Sequence, residues 1–531
     1  MSVSRRAALG GLLGVVATGT LAGCASPNSG MMHGGHSTTA AGGTLSGDEL
    51  KKAIERVEAS RFASNKTTRL NVNHSVTRVE LGAGKSAVAK TFDGRVPGAP
   101  LRASYGDLVR LTQNNQLGED SSIHIHGLAL RNDADGVPML TQDEVASGTT
   151  HVQSFKAPHP GTYWYHSHTG LQIESGLHGS FIIDDPNERG EYDREWILVL
   201  DDWTLGLGKT PEEILKGLQT ATHSHDDMSG MSGTDMSGMD MSGMDMSGMD
   251  HSGMSGMQDQ FGLGMGMSDV AYPAYIVNGR VPEDPEVFNA KVGERIRLRV
   301  INAASDTAFV FGVEGHALTI THTDGFPVKP HKTDSALLGM GERIDAVITV
   351  KSGAYSAFAI PVAKSGTPAR AVLRTGASAT PSVKSIPAKP KSIAQLFDLE
   401  TLDENRLTGS PTATLQAMLM GTMVPYKWNI NGNTDMHGSL FLLREGETVD
   451  LNFMNHTTMF HPMHLHGHTF QVVGAYGQKL TNGPRKDTVI VKPMTQVTVR
   501  IQADNPGDWA IHCHNHYHMD SGMMGAIRYA L

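Results

Sequence analysis

The sequence predicts an all-β protein made of three Greek-key β-sandwich domains. Three observations lead there. The chain has 531 residues, too many for one ordinary domain and enough for about three. Short runs typical of strands, such as Ser122-Ile-His-Ile-His and Gly179-Ser-Phe-Ile-Ile, recur between turns rich in Gly, Pro, Asn and Asp, which is the pattern of sandwiches. One strand is also written three times: Leu108-Val-Arg-Leu-Thr-Gln-Asn, Arg295-Ile-Arg-Leu-Arg-Val-Ile-Asn and Thr448-Val-Asp-Leu-Asn-Phe-Met-Asn. Echoes at comparable domain positions indicate three related units.

In chain order, residues 1–23 read as an export signal. Ser4-Arg5-Arg6-Ala7-Ala8-Leu9 and the apolar run after it have twin-arginine character, and the run is short for a membrane span, which needs about 20 residues. Leu21-Ala22-Gly23-Cys24 resembles the box at which bacterial lipoproteins are cleaved and lipidated; the plainer alternative is an ordinary signal with a chance cysteine. Lipidation of Cys24 would hold the chain at the outer face of the cytoplasmic membrane. Residues 24–62 form a Gly/Ser/Thr/Ala-rich tether with Met31, Met32, His33 and His36, followed by a short helix from Asp48. The first sandwich is expected over 63–187 and the second over 188–375. Residues 376–392, rich in Pro, Ser and Lys, are the expected linker, and 393–531 the third sandwich.

The second domain is interrupted at 223–267 by a segment with twelve methionines, in units such as Asp235-Met-Ser-Gly-Met. It has no apolar period and almost no β-branched residue, so it cannot build a core and is expected to be disordered without ligand. One reading is an indifferent low-complexity loop. The other is a soft-metal store, because thioether selects Cu(I) and Met-x-x-Met spacing gathers sulfurs around one ion. Met236, Met239, Met241, Met244, Met246 and Met249 are the candidate ligands.

Four histidine clusters stand out: His124-Ile-His126-Gly, His166-Ser-His168, His461-Pro-Met-His464-Leu-His466, and His512-Cys513-His514 running on to His518 and Met523. On a strand, an H-x-H step puts both imidazoles on one face. In the last cluster Cys513 then faces away from His512 and His514. A thiolate on one face and two imidazoles on the other join two metal sites through a few covalent bonds. One Cys, two His and a weak thioether make a blue-copper set, with His518 and Met523 returning to the cysteine and His461 as candidate second histidine. Isolated histidines are usually surface or satisfied core residues, and a lone buried Cys is usually a small hydrophobe. Four ordered clusters argue against that reading.

These motifs, in order and spacing over residues 124–523, resemble the multicopper oxidases. Ala129-Leu-Arg-Asn-Asp, Pro160-Gly-Thr-Tyr-Trp, Leu200-Asp-Asp-Trp203 and Lys486-Asp-Thr-Val resemble the bacterial copper-resistance oxidases, and in particular the mycobacterial-type lipoprotein members. The resemblance implies cupredoxin-like sandwiches and four copper ions. The type 1 copper would take His461, Cys513, His518 and axial Met523, and the type 2 copper His124 and His464. One type 3 copper would take His126, His166 and His514, the other His168, His466 and His512. Asp135 matches a family carboxylate near the cluster, although a plain Asp-Gly turn explains it equally. Asp487 resembles an acceptor that orients a type 1 histidine, with a strand-edge role as the alternative. Met519 stands where many bacterial members have a proton-relaying Glu; Asp520 is the substitute at hand. Met459 resembles a substrate-copper ligand of cuprous oxidases, whose matching Asp falls on Thr457. Met418, Met420 and Met423 are candidate contributors to the same substrate-copper site, with core packing the expected role of each, and His178, His316, His322 and His468 are expected in structural roles.

The expected activity is one-electron oxidation of Cu(I), and of phenolic donors, coupled to reduction of O2 to water for copper detoxification. The rivals are a laccase with an organic donor and a copper-sequestering protein with incidental oxidase activity. A two-domain copper nitrite reductase is excluded by length and by the full type 3 histidine set. Net charge −10 with 18% charged residues and no basic run argues against nucleic acid as a partner and favours cations. With only Cys24 and Cys513, a lipid anchor and a copper ligand leave no disulfide. The expected setting is the cell envelope, as a monomer.

Overall fold

The computed structural model describes residues 43–188, 192–221, 261–263, 269–382, 386 and 390–530. The export signal, Cys24, the tether up to residue 42 and most of the Met-rich segment, including Met236 to Met249, lie outside them. No helix of the described residues is long and apolar enough to cross a membrane.

Six sheets pair into three sandwiches. In the first, strands Thr67–Gly82, Lys85–Phe92, Leu108–Asn115 and Thr150–Lys156 form one sheet, and Gly98–Ser104, His124–His126, Gly161–His166 and His178–Asp184 the other. Alternation along each strand sends Val72, Val109, Leu111 and Phe155 from one sheet against Ile125, Tyr163, Tyr165 and Phe181 of the other, all buried in a common core. The second sandwich has two six-stranded sheets, and the third a seven-stranded and a five-stranded sheet. The chain is thus all-β, with minor helices such as Gly47–Ser60. That helix docks on the body: Lys156 N–H donates to Glu58 at 2.6 Å and Arg61 to Asn505 at 3.0 Å.

The three echoing strands occupy one topological position. Leu108–Asn115, Arg295–Asn302 and Thr448–Asn455 each run parallel to the first long strand of their sandwich and antiparallel to a later one. Each ends in a buried asparagine that locks the chain as it leaves the sheet. Asn115, Asn302 and Asn455 each accept from the N–H two residues on. Each also donates through Nδ2 to carbonyls of separate segments, Val145, Leu338 and Val491 among them. A buried amide satisfied on both sides is what such a corner demands.

Two expectations need correction. Ile393–Ala394 does not open the third sandwich; it pairs parallel with Ser335 and Ala336 of the second. Ser392 holds it there, accepting from the Asp334 N–H at 2.9 Å and from the Ser335 hydroxyl at 2.9 Å. Met418 and Met420 are not core residues but 39% and 37% exposed. In Ala413–Met423 the strand period buries Ala417 and Leu419 and turns the even-numbered positions outward.

Candidate metal centre

Register explains how one short stretch serves two sites. Strand His461–Leu465 lies beside Trp509–Cys513, with Met463 opposite Cys513 and His464 opposite His512. Period-2 alternation then puts His461, Met463 and Cys513 on one face of the sheet and His464, His466, His512 and His514 on the other. The two faces hold separate clusters.

On the first face, Cys513 Sγ lies 3.7 Å from Nδ1 of both His461 and His518, and these nitrogens are 3.1 Å apart. His518 returns on the short helix His516–Asp520, capped by Asn515, whose side chain accepts from the N–H groups of Tyr517 and His518. Met523 closes the loop: its N–H donates to the His518 carbonyl at 2.9 Å and its carbonyl accepts from Cys513 N–H at 3.0 Å. Trp428 covers the group, with its ring 4.0 Å from that of His518 and 5.4 Å from that of His461. Burial pushes the Cys513 thiol up, so it stays protonated unless a cation draws the proton off.

On the opposite face, His464, His466, His512 and His514 meet His124, His126, His166 and His168 of the first sandwich. His124 and His166 are cross-strand partners. Second nitrogens are spoken for. His124, His464, His166 and His512 donate Nδ1–H to the carbonyls of Asp135, Asp487, Ser167 and Cys513 at 2.8–2.9 Å. His466 donates Nδ1–H to Asp135 Oδ2 at 2.8 Å. His126 has the reverse polarity, with Nε2 on Asp487 Oδ1 at 3.0 Å. The nitrogens left over are buried without a partner: Nε2 of His124, His464, His166 and His168, Nδ1 of His126, and both nitrogens of His514. His466 and His512 point Nε2 at each other across 3.0 Å, and since each gives its hydrogen elsewhere, two lone pairs face one another.

Unmet buried acceptors and opposed lone pairs are costly without a cation. Imidazole and thiolate donors in this setting fit copper. Close donor groups are His461/Cys513/His518, His168/His466/His512, His124/His126/His166 and His124/His464/His466, each with ligand atoms within 4.8 Å. The resemblance instead implies His514 with His126 and His166; its ring lies 4.9 Å and 5.6 Å from theirs, outside those close groups. Burial holds His126, His166, His466, His512 and His514 well below the ordinary range and lowers His168 to about 3.

Asp135 joins the two histidine halves, holding His124 by its carbonyl and His466 by its carboxylate. The turn has to be glycine next: Gly136 sits at φ +81°, and a Cβ there would stand 1.8 Å from the Ile123 carbonyl oxygen. Asp487, at the bend between strands Arg485–Lys486 and Thr488–Val491, is beside His126 and His464 rather than beside a histidine of the Cys513 group. The acid at the Cys513 group is one that sequence reasoning missed: Asp269 Oδ2 lies 2.7 Å from His518 Nε2 and accepts from the Tyr426 hydroxyl. Arg343, also missed, clamps Asp487. Thr457 Oγ1 is 2.8 Å from His461 Nε2, and Met459 is buried just after it. His468 bonds the Tyr529 hydroxyl and, through Nδ1, the His466 carbonyl, and His178, the cross-strand partner of His166, bonds Asp201.

A cysteine-centred group backed by an eight-histidine cluster between the first and third of three sandwiches defines a copper oxidase. Three sequence models described as multicopper oxidase match residues 74–188, 195–378 and 408–530, and the chain belongs to the multicopper oxidase family. It is 38% identical over 485 residues to multicopper oxidase MmcO of Mycobacterium tuberculosis (strain ATCC 25618 / H37Rv), covering 91% of each chain. It is 27% identical to copper resistance protein A of Escherichia coli, over 88% of this chain and 93% of that one. The laccase from Botrytis aclada has the same fold, with TM-score 0.71 at 24% identity, over 89% of this chain and 90% of that one. Fet3p, a multicopper oxidase that functions in iron import, superposes with TM-score 0.71 at 21% identity, over 87% and 90%.

Proposed function

We propose that this oxidase takes single electrons from Cu(I), releases Cu(II), and reduces O2 to water, with phenols as secondary donors and copper detoxification as its role. The single observation that carries the proposal is the division of faces around Cys513, with the Cys513 group on one face and the histidine cluster on the other, which suits an electron-accepting centre backed by an oxygen-reducing one. His461, Cys513, His518 and Met523 would hold a type 1 copper; His124 and His464 a type 2; and His126, His166, His514 with His168, His466, His512 the type 3 pair. Bound there, copper supplies one-electron redox chemistry and enough sites to store the four electrons that O2 requires.

The protein's own part is positioning. Cys513 offers a covalent path from sulfur through its main chain to both neighbouring imidazoles, and its carbonyl also takes the His512 Nδ1–H. Asp135 and Asp487 fix which nitrogen of each bonded histidine faces the cluster. Burial excludes water from both groups. On the donor side, Asp269 at His518 and Thr457 at His461 are the polar contacts through which a donor couples to the centre. Support for Cu(I) comes from soft ligands in this chain: Met459, and Met236, Met239, Met241, Met244, Met246 and Met249 of the insert. The twin-arginine pattern and Cys24 support export to the cell envelope with lipid anchoring.

The test is O2 uptake by copper-loaded protein with Cu(I) as donor, beside a phenol, for wild type and Cys513→Ser. Fast uptake with Cu(I), lost in the variant, is expected. Phenol turnover with negligible Cu(I) turnover would replace the proposal by a laccase with an organic donor, and no uptake from either would leave only copper binding.

A further inference from the structure

The outward face of the third domain's larger sheet carries a second set of soft donors, remote in sequence from the insert. Met418 is the parallel register partner of Met454, and Met454 is the antiparallel partner of Gln496. The next row continues the same pairing beyond the strand ends. His456 N–H donates to the Leu419 carbonyl at 3.0 Å, which brings His456 beside the strand of Met418 and Met420, and Met494 N–H donates to the Thr457 carbonyl at 3.2 Å, which holds the Met494 turn against the same segment. Met454, His456 and Met494 line one open groove. Cross-strand neighbours on one face lie about 5 Å apart, within reach of one ion for side chains as long as Met.

Outward-facing residues elsewhere on this sheet are polar: Gln416, Asn452, Thr498 and Arg500. Of the four methionines among the exposed large hydrophobic residues described, three are here, at 39%, 37% and 68% exposure for Met418, Met420 and Met494. If apolar cover were the need, Val or Ile would provide it with better strand propensity. Four thioethers and an imidazole instead make a soft donor set with no carboxylate in it. The one carboxylate in the groove, Asp450, is clamped by Arg500 at 2.7 and 2.9 Å, so nothing there recruits a hard divalent cation.

We propose that Met418, Met420, Met454, Met494 and His456 form a surface binding site for a soft monovalent cation, Cu(I). The strand that carries Met454 continues through His456 to Thr457, whose Oγ1 touches His461 Nε2 at 2.8 Å. An ion held there therefore sits on the segment that leads to the Cys513 group. Use of the site in turnover rests on the cuprous reading above; binding does not.

Ag(I), a redox-inert stand-in for Cu(I), separates the two. Copper-loaded full-length protein with 13C-methyl methionine is titrated with Ag(I), and signals are assigned by single Met→Leu variants. The methyl signals of Met418, Met420, Met454 and Met494 are expected to shift together. The quadruple Met→Leu variant should bind one Ag(I) fewer by calorimetry and keep phenol oxidation unchanged. Signals that stay still while Ag(I) saturates the protein, or an unchanged Ag(I) count in the quadruple variant, would overturn the site. A shift of the four signals in a protein that fails to consume O2 with Cu(I) would uphold the site while removing the cuprous reading.

Discussion

Arg343 and Asp487 form a two-pronged ion pair, at 2.7 Å on each prong, with neither side chain reached by solvent. Arg343 comes from the second sandwich and Asp487 from the third. Arg343 also donates to the Thr162 carbonyl of the first, and Asp487 accepts from His126 of the first. One pair thus fixes three domains at the edge of the histidine cluster. Space around it is so limited that a Cβ on Gly127 would stand 2.3 Å from the guanidinium.

Breaking this pair leaves a buried carboxylate without its cation. Arg343→Met is expected to destabilise the protein by about 3–5 kcal/mol, read from the urea midpoint. Arg343→Lys should recover only part of this, since an ammonium cannot form both prongs. A Met variant within about 1 kcal/mol of wild type, well under the cost of a broken buried pair, would show that the pair is not what joins the domains.

Asp135→Asn tests orientation of the ligands. Losing the charge behind His466 should weaken copper retention about tenfold or more, measured as metal content after dialysis against a graded chelator. Stability of the copper-free protein should barely move. Equal retention in the two proteins would reduce Asp135 to a turn residue.

The repeated asparagine is a structural device, and the middle copy belongs to the sandwich that supplies none of the clustered histidines. Asn302→Ala removes donors to Thr307 and Leu338 and an acceptor for Ala304. A loss of about 3 kcal/mol is expected from the buried groups left unmet, with no change in metal content of the protein that remains folded. Calorimetric unfolding reads the first and elemental analysis the second.

His74 sets a pH dependence distinct from the metal ligands. It is buried against Ser121, and burial lowers its pKa to about 4 from the ordinary value near 6.5. The unfolded chain therefore takes up its proton first. This contribution is fully present above about pH 6.5 and falls away as pH drops toward 4, the loss reaching about 2 kcal/mol by pH 5. His74→Gln should flatten the loss between pH 7 and 5 by that amount in copper-free protein; an unchanged slope would remove His74 from the account.

Much of this architecture is legible in the amino-acid order itself. Strand-length runs and the three echoing segments point to three sandwiches, since period-2 burial and turn chemistry are local properties. The H-x-H steps and the Cys513 alternation are legible for the same reason. Partners far along the chain are not. Asp269 follows a low-complexity segment that carries no period, and nothing near Arg343 marks it as the mate of a residue 144 positions away. Met418 and Met420 defeat a local reading because a methionine's burial depends on which way the strand faces, and Ile393 does so because two residues cannot announce their sheet.

The contact between His126 and Asp487 spans 361 residues, and that span has a consequence for synthesis. As the chain emerges, the first sandwich can bury its own core, but it presents its four histidines to solvent until the third sandwich arrives. Half-made chains are thus open to stray metal at just the positions meant for copper, and closing so long a loop is slow compared with forming local sheets. The centre can be completed only by a finished chain, so any cell that makes this protein has to keep the early half clean or fill it last.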